Sequence, residues 1–211
     1  MTEANKRRRS QAERREEAEK RLIDTAIELM ASRGYDGFTL AEVGEAAGYS
    51  RGLPAHYFGK KDDLLVAVVE FLIEDYNRHF EKESRALGGM LRIETLVRSY
   101  TRAKGRSVRA LSMLIGEAIV RPVLRRTITR LNAKGLERIE SIIRDGITDN
   151  TIRPDVDVKR QAAIIYSFLR GQTNFALCDT AFDAEGVAEE FILLIRDNLS
   201  LRPKLGGSKN G

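Results

Sequence analysis

Apolar residues recur at helical spacing over most of the chain. Between Glu17 and Arg33, the residues Leu22, Ile23, Ala26, Ile27, Leu29 and Met30 form one stripe, with charged residues largely opposite. That pattern predicts an amphipathic helix ended by Gly34. Ser10 and Glu13 stand at capping-box spacing and offer an earlier start. Thr39 and Glu42 repeat the box. Phe38 and Val43 can close over it as a hydrophobic staple, and Leu40, Val43 and Ala47 share a face. Gly48, free to take positive φ, stops this short helix. Ser50 is read as the N-cap of the next, which runs from Arg51 to about Phe58. A longer stripe of Leu64, Leu65, Val68, Val69, Leu72, Ile73 and Tyr76 predicts a helix from Lys60 and Lys61 to about Arg85. Its first turn holds Asp62 and Asp63, where acids favour the helix dipole.

Leu87-Gly88-Gly89 interrupts the pattern, and a domain change is expected near it. Helices are then predicted over 91–104 and 109–120. Pro122 opens another, striped by Leu124, Ile128, Leu131, Leu136, Ile139, Ile142 and Ile143 and ending near Gly146 or Asn150. The last two, about 158–179 and 184–201, carry the strongest apolar runs: Ile164, Ile165, Phe168 and Leu169, then Phe191, Ile192, Leu194 and Ile195. An apolar arc that wide buries more than one side. The core of a single chain or a self-complementary face between two copies would serve, and the second is the expectation. No alternating strand run appears, so the fold class is all-α.

Composition narrows the chemistry. At 211 residues the chain can bury a substantial core. No run of about 18 apolar residues occurs, so no membrane span is expected. The charged N-terminus lacks a signal-peptide core, and the single cysteine, Cys178, suits a reducing cytoplasm. A net charge of +5 favours an anionic partner. Two histidines, one cysteine and no Gly-rich phosphate loop or nucleophile elbow leave an enzyme without its parts. No cofactor or metal is expected.

Two short helices about a glycine turn make a helix-turn-helix, whose second helix can enter the major groove of DNA. The run GYDGFTLAEVGEAAGYSRGLPAHYFGKKDDLL, with the amphipathic helix before it, resembles the DNA-binding domain of TetR-type transcriptional regulators, closely over about residues 20–70. That resemblance implies an N-terminal three-helix reader, a long fourth helix, and a C-terminal helical bundle that dimerises through its last two helices and encloses a small-molecule effector. It divides the chain into a basic arm (1–15), a helix-turn-helix domain (16–62), a dimerisation and effector domain (63–202) and a tail (203–211). The expected partners are double-stranded DNA with a pseudo-palindromic operator, a second copy of the chain, and the effector.

Within the reader, Arg51 has the bidentate guanidinium that pairs with guanine O6 and N7. Gly52 permits close approach; Leu53, His56 and Tyr57 are within plausible reach of the duplex. Thr39, Tyr57 and Lys61 are expected at phosphates, Lys61 by resemblance, and Ser50 stands at the cap. Lys6, Arg7, Arg8, Arg9, Arg14 and Arg15 make a basic arm suited to phosphates or the minor groove. Two residues depart from the family pattern. Pro54 removes a backbone donor and constrains Leu53, so a late or distorted start to the reading helix is expected. Ala55 stands where a phosphate-contacting tyrosine is frequent. These departures leave a helical interaction protein that has lost DNA binding, or a regulator with no ligand, as alternative readings.

Overall fold

The computed structural model describes residues 10–201, and all regular structure among them is helical. In chain order the helices are α1 (Gln11–Arg33), α2 (Leu40–Ala46), α3 (Leu53–Phe58), α4 (Lys61–Ser84), α5 (Gly89–Arg102), α6 (Arg106–Glu117), α7 (Pro122–Thr148), α8 (Val158–Cys178) and α9 (Ala184–Leu199). The all-α expectation holds. Lys6, Arg7, Arg8 and Arg9 of the expected basic arm, and the expected tail at 203–211, lie outside the described residues. The chain packs into two compact units. Among the described residues, one comprises those up to Ile73 with Gly105–Ile128; the other comprises Glu74–Lys104 with those from Thr129 onward. α4 and α7 each pass through a boundary and contribute to both.

In the first unit α1 starts at the earlier of its two signals. Ser10 Oγ accepts from the Glu13 amide at 3.1 Å, while the Ser10 amide donates to the Glu13 carboxylate at 2.6 Å. Two otherwise orphaned donors are satisfied together, so the helix gains a turn and a half over its apolar stripe. Its buried face is Ala18, Leu22, Ile23, Ala26, Ile27, Leu29 and Met30. Gly34, at φ 74°, ends it. Leu64, Leu65, Val68 and Val69 of α4 are fully buried, each contributing roughly 1.5–3 kcal/mol over exposure. α6 lies along α1 with Ala110 and Leu114 buried, and Arg106 pairs with Glu28 across that contact.

The second unit is centred on Phe80, Ile93, Val97, Ile139, Ile142, Ile143, Ile165, Leu169, Ile192 and Leu199. A Cβ on Gly89 would lie 2.2 Å from Gly146 Cα, so the backbones of α5 and α7 touch where any side chain would part them. Glu94 is buried on α5 and accepts from Arg196 at 2.7 Å and Arg98 at 3.3 Å, which compensates its lost hydration. α8 and α9 run antiparallel: Phe168 stacks on Phe191 with ring centroids 3.6 Å apart, and Asn198 donates to Gln161 at 3.1 Å. Their outer faces leave Ile164, Phe175, Val187, Leu193 and Leu194 exposed. Among the described residues no helix is long and apolar enough to cross a membrane.

Candidate nucleic-acid interface

α2 begins on the predicted box. The Thr39 amide donates to Glu42 Oε2 at 2.7 Å, and the Glu42 amide donates to Thr39 Oγ1 at 3.3 Å. The hydroxyl of Thr39 also donates to that carboxylate at 2.8 Å. These hydrogen bonds, with Arg33 and Lys61 nearby, hold the Glu42 carboxyl below the usual carboxylate range. Thr39 is exposed, but its hydroxyl proton is already placed within the cap. Beneath α2, Val43 and Ala47 are buried with Phe38.

The turn into α3 is built on two glycines. Gly48 takes φ 78°. Gly44 is buried, and a Cβ there would lie 2.5 Å from the Ser50 carbonyl oxygen and 3.1 Å from Pro54 Cδ. Only a hydrogen at Gly44 lets the returning chain lie on α2.

The cap at Ser50 and the start at Arg51 need correction, while the late start expected from Pro54 is found. α3 starts at Leu53 with Gly52 as N-cap and no side-chain cap bond. Ser50 instead offers its backbone carbonyl, which accepts from the Leu53 amide at 3.1 Å. Pro54 explains the shift. At the fourth helical position it would delete a backbone bond, whereas at the second its missing N–H is one that no helix satisfies internally. A proline inside a helix costs about 3 kcal/mol or more, while a serine cap contributes about 1 kcal/mol. The proline penalty outweighs the cap and sets the start. Pro54 is buried against Gly44, and Leu53, Tyr57 and Phe58 are half-buried. Arg51, Gly52, Ala55 and His56 are exposed.

Arg51 therefore stands in the turn ahead of the helix, not in its first turn. Its Nη1 donates to Glu45 Oε1 of α2 at 2.8 Å, and its side chain is 70% exposed. His56 meets the Tyr57 ring edge-on at 5.9 Å.

Lys61 sits differently from the expected phosphate contact. Its ammonium donates to the carbonyls of Tyr35 and Phe38, and Nζ lies 4.1 Å from the Phe38 ring centroid and 4.7 Å from that of Tyr35. Burial lowers its pKa, partly opposed by Asp36, Asp62 and Glu42. Arg121 covers the Tyr35 ring at 3.4 Å, and the Tyr35 hydroxyl donates to Asp62. Burial, then that bond, raise the Tyr35 pKa to about 12. The lysine thus ties α4 to the loop between α1 and α2. Lys61→Ala should lower the stability of this unit by about 1.5–3 kcal/mol, the usual value of hydrogen bonds to a charged group. Thermal melting measures this; an unchanged melting temperature would show that the carbonyls are equally well served by water.

Sequence reasoning missed Glu45, Arg21 and the ring contact of Arg15. Glu45 lies six residues from Arg51 across a turn, beyond any helical spacing rule. Arg15 Cζ lies 5.7 Å from the Tyr57 ring centroid, and Arg21 Cζ lies 5.8 Å from that of Tyr49.

A capped helix, a glycine turn bearing the exposed Arg51, and a second helix buried along its inner edge define a helix-turn-helix DNA-binding domain. Residues 22–68 match the family model described as bacterial regulatory proteins, tetR family. The HTH-type transcriptional regulator CymR of Pseudomonas putida is 46% identical over 67 residues, which are 32% of this chain and 33% of that protein. The HTH-type transcriptional repressor KstR2 of Rhodococcus jostii is 23% identical over 186 residues, 85% of this chain and 89% of the relative. Among solved structures, the transcriptional regulator FadR of Bacillus subtilis, in complex with stearoyl-CoA, superposes with a TM-score of 0.72 at 17% identity. That superposition covers 84% of this chain and 96% of FadR, and shows a shared fold. Residues 22–68 are thus similar to the DNA-binding domain of the tetR family of bacterial regulatory proteins, and the chain as a whole shares the fold of such regulators.

Proposed function

We propose that the chain is a homodimeric, sequence-specific transcriptional repressor of the cytoplasm, released from a pseudo-palindromic operator by a small-molecule effector. The observation that carries this reading is the two-sided reading helix. Pro54 is held in the core while Arg51, Ala55 and His56 face outward on a frame fixed by Gly44 and the Thr39 box. In this reading, residues 16–62 read DNA, while 63–202 dimerise and sense. Arg51 exchanges Glu45 for guanine O6 and N7, and Gly52 and Leu53 let the backbone approach the groove. Ser50, His56, Thr39 and Tyr57 meet phosphates or base edges around it. Lys61 acts from within, by holding the loop that precedes α2.

The exposed apolar residues of α8 and α9 support a dimer face. On α8, the exposed Ile164, Gly171 and Phe175 recur at helical spacing about the half-buried Phe168; on α9, the exposed Val187 and Leu194 flank the half-buried Phe191. A second copy covering this face places two readers on one duplex, as operator half-sites require.

For the effector, the second unit holds a cavity of about 230 Å³ beside Arg98, Thr101, Arg102, Glu185 and Glu189. The Thr101 hydroxyl accepts from the Gln172 amide, whose own carbonyl oxygen is buried without a protein partner among the described residues. FadR, with its stearoyl-CoA, is a fold relative that binds a small molecule.

Selection of random duplexes by the purified chain tests the reading, and an enriched two-fold motif is expected. Arg51→Ala should then relax preference at one base position in each half-site, by about 1–3 kcal/mol. A titration over single-base operator variants that shows the wild-type preference intact would remove Arg51 from the readout. An absence of any enriched motif would favour an interaction protein instead.

A further inference from the structure

We propose that α1 supplies two backbone-phosphate contacts to the duplex, through Arg15 and Arg21, so that DNA is gripped by three helices of this unit and not by the helix-turn-helix alone. This rests on the DNA-binding reading above, gives Arg15 of the expected basic arm a fixed place on α1, and adds Arg21 to the interface. Both side chains belong to exposed residues, and both lean onto aromatic rings of the reader. Arg15 covers Tyr57, in the last turn of α3. Arg21 covers Tyr49, in the turn between α2 and α3. A Cβ on Gly48 would lie 3.6 Å from the Arg21 guanidinium, so that group also rests beside the bare backbone of the turn.

A guanidinium held near a ring by cation–π attraction still presents its planar fork of N–H donors to a second partner. The contact also restricts the rotamers of a long side chain before DNA arrives, so less freedom is lost on forming a phosphate bond. Six residues separate the two arginines, about 9 Å along the helix axis. They therefore address separate phosphates, one beside the end of the reading helix and one beside its approach turn. Neither contact conveys base identity; both fix where the reading helix lies along the groove.

The test is the salt dependence of affinity for the selected duplex, between 50 and 200 mM salt, for wild type, Arg15→Ala, Arg21→Ala and Arg21→Lys. Each alanine variant should lose affinity for all duplexes alike and flatten the slope of log K against log salt by about 0.9, the value for one neutralised phosphate. Base preference should be unchanged. Arg21→Lys should recover the slope because it retains the charge. Wild-type slopes in both alanine variants would overturn the proposal, as would weakened binding at an unchanged slope, which would mark ring packing alone. If the wild-type chain itself prefers no duplex at low salt, the DNA-binding reading fails first, and the two failures are distinct.

Discussion

A glutamate at Leu194 should leave the chain folded and monomeric, with its grip on a two-fold operator lost. Leu194 is 67% exposed on α9, so the carboxylate meets water in the isolated chain and costs little. In the proposed dimer the same carboxylate lies in an apolar contact with its twofold mate nearby, where an unpaired charge loses its hydration. Two linked readers exceed the affinity of one by about 10²–10⁴ through effective concentration alone. Operator affinity should fall by a comparable factor, with helix content by circular dichroism unchanged. Sedimentation at micromolar concentration gives the mass. Ile119→Glu is the control, since Ile119 is 75% exposed in the other unit and lies outside the proposed face. A dimeric Leu194→Glu chain, or a monomeric one with intact operator affinity, would refute the placement of the dimer face.

The second large effect is expected from a single methyl group at Gly44. Alanine there drives Cβ to 2.5 Å from a backbone oxygen, that of Ser50, and to 3.3 Å from Arg51 Cα. Neither neighbour is the free end of a flexible side chain, so the turn itself must move. Overpacking of this kind costs about 1–3 kcal/mol. More to the point, it displaces Arg51 and the start of α3 relative to α2. A misplacement of an ångström is enough to break bidentate geometry at a base edge. Gly44→Ala should therefore lose base-specific binding while its sedimentation coefficient remains that of wild type. Retention of wild-type operator preference would mean that the turn tolerates the shift.

Much of this architecture is legible from local rules. The Thr39 box and the apolar stripe of α4 depend on residues close in sequence, and each stands where periodicity and capping place it. The Ser10 box was legible too, as an alternative start, and the structure selects it. The start of α3 was a contest between two rules written four residues apart. Ser50 is a good cap, but Pro54 tolerates only the first turn; the late start expected from the proline is the one found, and about 1 against about 3 kcal/mol decides it. Lys61 was not legible. Its partners are carbonyls 23 and 26 residues earlier, and backbone oxygens carry no sequence signature. The family resemblance pointed the ammonium outward, while burial beneath Arg121 and the ring of Tyr35 turns it in. The partnership of Arg51 with Glu45 was hidden for the same reason: it spans a turn whose exact path depends on Gly44.

Pro54 has a thermodynamic consequence for how the reader meets its target. Its ring restricts φ at that position in the denatured ensemble, so less chain entropy separates the unfolded segment from a six-residue helix too short to persist alone. With Pro54 also packed on Gly44, the segment is expected to be ordered before the duplex arrives, leaving little folding to be coupled to association. Calorimetry on the operator complex would then register a heat-capacity decrement set by the contact surface alone, without the added increment of a recognition element that condenses on the duplex.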